Sequence, residues 1–193
     1  MPTLSILTDF ESRLARFTSY VEPLGVTVGR AGSSSDLANL IADVAHELEV
    51  TGAVTSSELI APAPDLIAGL GARRITCLAP QSVNDCRDQP LGLSLATLAI
   101  AETGSIMLAE HTLADRAVGL LTATHIVVIR SGDMVPSLVE AANAMREVSL
   151  RANGSRYGSF VTGPSRTADI EMSLTVGVQG PARVYLFFVD NLT

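Results

Sequence analysis

Short apolar runs alternate along this chain with glycine- or serine-containing turns and amphipathic stretches. Residues 26–28 form the first run, and Leu37, Leu40, Ile41, Val44 and Leu48 then recur at the three-and-four spacing of one helix face. Ser35 or Asp36 is the expected cap of that helix. Residues 53–55 and 75–78 predict two further strands, and Pro62 and Pro64 between them favour an early turn or a helix start. Residues 125–129 read as a buried strand. Residues 136–151 read as a helix with Leu138, Val139, Ala142, Met145 and Val148 on one side. Residues 160–162 and a helix over 167–174 continue the alternation. Residues 184–189 are apolar on successive positions, so both faces are expected to be covered, as in a central strand of a mostly parallel sheet. The order of patterns predicts an α/β fold.

Three stretches fit the alternation less directly. Residues 80–90 are polar and turn-rich, with Asn84, Asp85 and Asp88, and predict a surface loop. In residues 91–108 the apolar positions keep no single period and Gly104 interrupts them; the expectation is a short strand, a helical turn over 96–99 and a strand over 100–108. Phe10, Leu14 and Phe17 predict an N-terminal helix within residues 1–20, packed on the sheet or on another subunit. No repeat or linker divides the sequence, so residues 1–193 are expected to form one domain.

Composition narrows the function classes. Apolar residues make up 47% and charged residues 17%, which excludes intrinsic disorder. The net charge of −7 has the wrong sign for a surface that neutralises phosphates, so nucleic acid is not an expected partner. All 13 basic residues are arginine, which excludes a Schiff-base or P-loop lysine of the chain's own. No apolar run reaches the roughly 20 residues that span a bilayer, and Asp9, Glu11 and Arg13 break up the start, so a cytoplasmic location is expected. His46, His111 and His125 with Cys77 and Cys86 do not make a metal-ligand pattern, and no metal or cofactor is expected in this chain.

Ligands of open α/β sheets sit beyond the carboxyl ends of the strands, beside helix starts. Three segments have suitable composition. Residues 29–35, with Arg30 among small residues, read as an anion cradle or as an ordinary capped turn. Glu102, Thr103 and Gly104 place a carboxylate inside an apolar stretch, where burial would make Glu102 a candidate acid, base or nucleophile, or leave it a structural glutamate bonded to loop amides. Gly163 and Pro164 turn the chain before Ser165, the expected helix N-cap. Arg166 offers a guanidinium fork suited to carboxylate or phosphate, and Thr167, Asp169 and Glu171 follow. Gly177 and Gly180 flank a turn into the last strand, with positive φ expected at one of them. His125 points into a cleft at a strand start, or is a satisfied core histidine.

Ala101-Glu102-Thr103-Gly104, His125-Ile126-Val127-Val128, the block from Gly163 through Ser165, Arg166, Asp169 and Glu171, Gly177-Val178-Gln179-Gly180-Pro181 and the Asp190-Asn191 ending together resemble the LUD family, in its lactate utilization protein C group. The resemblance covers the C-terminal half well and residues 1 to about 70 only in order of elements. It implies a three-layer α/β/α fold similar to the NagB/RpiA/CoA-transferase group. It also implies a role in oxidising L-lactate to pyruvate beside iron–sulfur lactate utilization proteins, with the clusters in those partners and a small carboxylic acid as ligand. The family often carries histidine where Gln179 stands, so Gln179 is assigned no catalysis. The alternative is an independent enzyme of CoA-transferase-like type, with Glu102 as nucleophile, Gly104 leaving room for the intermediate, and Ser165 and Arg166 binding an acid.

Overall fold

The protein, described by a computed structural model over residues 9–150, 157–167 and 175–193, is built around a sheet of six parallel strands. In chain order the elements are α1 (Phe10–Val21), β1 (Thr27–Ser33), α2 (Ser34–Glu47), β2 (Gly52–Thr55), α3 (Ser57–Ile60), α4 (Pro64–Ala72), β3 (Thr76–Leu78) and β4 (Leu91–Leu95). They continue with β5 (Leu98–Ile100), β6 (Ser105–Glu110), α5 (Leu113–Leu121), β7 (Thr124–Arg130), β8 (Met134–Val135), α6 (Leu138–Leu150), β9 (Tyr157–Val161), β10 (Arg166–Thr167), β11 (Thr175–Val176) and β12 (Arg183–Asn191). The large sheet runs β1-β12-β7-β4-β2-β3, a smaller one β8-β5-β6-β9, and β10 pairs with β11.

β12 lies between β1 and β7, as its unbroken apolar run predicts: Tyr185, Phe187 and Val189 join the core on one face, and Val184, Leu186 and Phe188 the core on the other. The first core is closed by α2, α3 and α4 through Leu37, Ile41, Leu59, Leu66 and Leu70, all fully buried. Ser33 caps α2, accepting from the Asp36 amide at 3.2 Å, so the cap falls two or three residues earlier than expected. The second core is closed by α1 and the small sheet. Phe10 and Phe17 both meet Phe188 edge to face, at 5.9 and 5.5 Å between centroids, so the N-terminal helix packs on the sheet of its own chain.

Several local expectations are corrected. Residues 29–33 belong to β1, which leads directly into α2, so no small-residue turn separates strand from helix. Residues 98–100 are strand β5 rather than part of a helical turn, and residues 100–108 do not run straight: a tight turn at 101–104 folds β6 back on β5. Gly104 makes that turn possible, at φ +66°, and a Cβ there would stand 2.7 Å from Tyr20 Cβ and 2.8 Å from Val21 Cγ1 of α1. Arg166 and Thr167 form β10 instead of opening a helix, so Ser165 is not an N-cap; the remainder of the helix expected over 167–174 lies outside the described residues.

Candidate functional site

At the carboxyl edge of the large sheet, β2 and its neighbour β4 send the chain to opposite faces. β2 leads into α3, whose Leu59 packs in the first core, whereas β4 leads through the small sheet to α5, which covers Gly92 from the other side. Such divergence between adjacent parallel strands opens a crevice beyond their ends. Polar side chains gather there. Asp115 of α5, 3% exposed, accepts from the Ser57 amide at 2.8 Å and hydroxyl at 2.9 Å, and from the Thr112 hydroxyl at 2.6 Å. Glu58 accepts from the His111 amide at 2.9 Å. These bonds clasp the start of α3 to the segment joining β6 and α5.

Glu110, the last residue of β6, is 4% exposed beside this clasp. Burial, reinforced by the negative charges of Glu58 and Asp115 and only partly relieved by a hydrogen bond from its own backbone and by Arg116, pushes its carboxyl up to about 7. Glu110 Oε2, Glu58 Oε2 and the hydroxyl of Ser56, a residue 1% exposed, are buried without a hydrogen-bond partner. A groove of about 480 Å³, lined by Ser57, Thr112, Asp115 and residues of the 79–83 loop, adjoins the cluster. None of Ser56, Glu58, Glu110 and Asp115 stands out from the sequence. The signal available for Asp115 is Thr112 three residues ahead of it, the pattern of a helix-start cap.

The residues singled out from the sequence lie elsewhere. Glu102, at the tip of the β5–β6 turn, accepts from the Leu138 amide at 3.0 Å and so docks that turn on the start of α6. Thr103 donates to the Ser105 hydroxyl at 2.9 Å, and Ser105 lies 2.7 Å from the Thr162 hydroxyl, which brings Thr103 and Gly104 alongside the turn at Gly163. Arg166 donates to the Leu24 carbonyl at 2.5 Å, beyond the end of α1. Carboxylate and guanidinium thus each bond a backbone group of a different element.

Ser165 exchanges backbone hydrogen bonds with the 177–181 turn: its amide donates to Pro181 O at 3.1 Å and its carbonyl accepts from Gly177 at 2.9 Å. Gly180 sits beside its side chain, and Gly163 and Gly177 have positive φ. This pair of turns precedes β12 and therefore stands at the amino edge of the sheet, opposite the edge where the sequence reading expected it. Thr167 belongs to β10, while Asp169 and Glu171 lie outside the described residues. His125, 1% exposed, bonds Ser94 Oγ through Nε2 at 3.0 Å and lies against Gly119 of α5; burial lowers its pKa to about 4. It occupies the core, not a cleft.

A second polar group stands at the carboxyl edge on the far side of β12. Arg30 of β1 grips Asp190 through Nε at 3.1 Å and Nη2 at 3.0 Å, pairs with Glu11, and lies 4.6 Å over the Phe10 ring. Ser131 donates to the same Asp190 at 2.6 Å. Every member is engaged, and together they fasten α1 to the ends of β1, β12 and β7. Among the described residues, no three His, Cys, Asp or Glu side chains are placed to hold a metal, and no helix is long and apolar enough to cross a membrane.

The model of the LUD domain matches residues 14–189. The chain belongs to the LUD domain family. Within it, the chain is 36% identical over 102 residues to lactate utilization protein C 1 of Bacillus mycoides, covering 52% of this chain and 44% of that protein. It is 31% identical over 114 residues to lactate utilization protein C of Bacillus subtilis, covering 58% and 47%. The chain thus spans about half the length of the curated relatives it matches. The fold of this LUD protein is shared with the crystal structure of a DUF162 family protein from Deinococcus radiodurans, at TM-score 0.68 and 24% identity over 94% of this chain and 98% of that one.

Proposed function

We propose that this protein works in lactate utilization, as a subunit that acts with iron–sulfur partner proteins in the oxidation of L-lactate to pyruvate. The observation that supports this reading is its likeness to proteins named lactate utilization protein C, at 31–36% identity over about a hundred residues. In this reading the clusters that move electrons belong to the partners, and this chain contributes a docking scaffold and a small-molecule site. The acidic surface, at a net charge of −7, suits a protein partner with basic patches better than a nucleic acid.

The test is recovery of the tagged full chain from its native host grown on L-lactate. Co-purification of iron–sulfur proteins, with their visible absorbance, is the expected result. Repeated recovery of the chain without such a partner contradicts the reading.

A further inference from the structure

We propose that the outer face of α6 is the contact through which two copies of this protein pair about a two-fold axis, helix against antiparallel helix. The spacing of Leu138, Val139 and Ala142 puts them on one side of the helix, the side an isolated domain would turn inward. The fold turns a different side inward. α6 lies on the small sheet through Ala141, 1% exposed, and the half-buried Ala144, which pack with Leu98, Ile100 and Met107. These alanines stand about a third of a turn from the apolar arc. Leu138 is therefore 52% and Val139 73% exposed, and Ala142, on the same arc, is exposed as well. Single exposed apolar side chains are ordinary, but larger ones gathered on one helix arc while alanines fill the inside mark a surface meant to be covered.

The charges along the arc select the occupant. Glu102 sits at the start of α6, bonded to the Leu138 amide. Arg146, exposed on the same arc about two turns further along, has no ion-pair partner among the described residues. An antiparallel copy centred on Ala142 sets the Arg146 end of each helix against the Glu102 and Leu138 end of the other, so one self-complementary patch makes both charge contacts. A parallel copy would place Arg146 beside Arg146 and Glu102 beside Glu102. Ala142, small and central, lets the two helices approach closely, and the aliphatic stem of each Arg146 covers the other copy's Leu138. Nothing in this pairing depends on the lactate reading.

The test is sedimentation equilibrium of the full chain over a dilution series. A dimer is expected, with its dissociation constant raised roughly tenfold or more by Leu138→Glu or Val139→Glu and by a smaller factor by Arg146→Gln or Glu102→Gln. Leu120→Glu, at a side chain 47% exposed on α5, should leave the dimer intact. Orientation is read by mild oxidation: Ala142→Cys should cross-link two copies, whereas Asn143→Cys and the parent, with its own Cys77 and Cys86, should not. A chain that stays monomeric throughout leaves the face to another protein or another segment and overturns the pairing. So does a dimer indifferent to Leu138→Glu and Val139→Glu, or one in which Ala142→Cys gives no cross-link. A lower melting temperature of Val139→Glu, at a dilution where the parent is also monomeric, would show that the face serves the chain's own fold and would equally overturn it.

Discussion

Asp115 receives both hydrogen-bonding groups of Ser57, the amide at 2.8 Å and the hydroxyl at 2.9 Å, although 58 residues separate them in the chain. One carboxylate thereby joins the end of β2 to the first turn of α5. It also accepts from Thr112, whose own oxygen caps the Asp115 amide at 3.0 Å. Replacing this acceptor leaves a part-buried amide and two hydroxyls of Ser57 and Thr112 without it. Asp115→Ala is expected to lower stability by about 2–4 kcal/mol, and Asp115→Asn by less, since one acceptor oxygen remains. Urea unfolding of both variants measures the difference; equal, negligible losses would show that the clasp is not needed.

Gly104 is the residue on which the β5–β6 turn closes against α1. Its positive φ and the 2.7 Å approach of Tyr20 Cβ both exclude a side chain. Gly104→Ala should cost about 2 kcal/mol or more, with the loss visible in the denaturation midpoint. A neutral substitution would contradict the packing described for the turn.

Two buried groups make opposite contributions to the pH dependence of stability. His125 titrates at about 4 in the fold and near 6.5 when unfolded, so its contribution is complete above about pH 6.5 and is lost as the pH falls toward 4. Glu110 titrates at about 7 in the fold, so stability falls as the pH rises from about 4.5 to 7, while the unfolded chain ionises and the folded one does not. Each shift is worth on the order of 3 kcal/mol, and over the shared window the two largely cancel. Glu110→Gln should therefore unmask a rise in stability between pH 4.5 and 7 and make the protein more stable than the parent at pH 8. Chemical denaturation across that range checks the sign, and a variant with the parent's profile would refute the assignment.

Legibility in the sequence followed the kind of residue involved. Where side chains face one core, as in α2 or the β12 run, the spacing of Leu37, Ile41 and Val44 or the unbroken Val184–Val189 stretch carried the element type. The small sheet was not legible, because Leu98, Ala99 and Ile100 are all fully or almost fully buried and erase the alternation that marks a strand. Ser165 and Arg166 have the composition of a helix start, yet β11 offers Arg166 and Thr167 a ladder partner that local composition does not reveal. The crevice residues were missed for a related reason. Glu58 and Glu110 look like surface carboxylates, and only the tertiary fold buries Glu110 with the half-buried Glu58 beside it.

Arg30 predicts a local effect. Arg30→Ala removes the grip on Asp190 and the cover over Phe10, so amide exchange in Phe10–Val21 should quicken while the strands keep their protection. Hydrogen-exchange mass spectrometry resolves the two; unchanged exchange in α1 would remove Arg30 as its fastening.

Glu102 distinguishes docking from chemistry. Glu102→Ala takes away the acceptor for the Leu138 amide and should cost about 1 kcal/mol, whereas Glu102→Gln keeps an acceptor and the fold. A thioester-exchange assay of the parent with acetyl-CoA and small acids, compared with Glu102→Gln, is expected to show no Glu102-dependent turnover. Turnover abolished by that variant would restore the carboxylate as a nucleophile.

The most direct measurement of the role in lactate utilization is L-lactate consumption by the source organism after deletion of this chain. The account predicts that consumption and growth on L-lactate collapse and return when the intact chain is supplied again. Undiminished consumption by the deletion strain would contradict it.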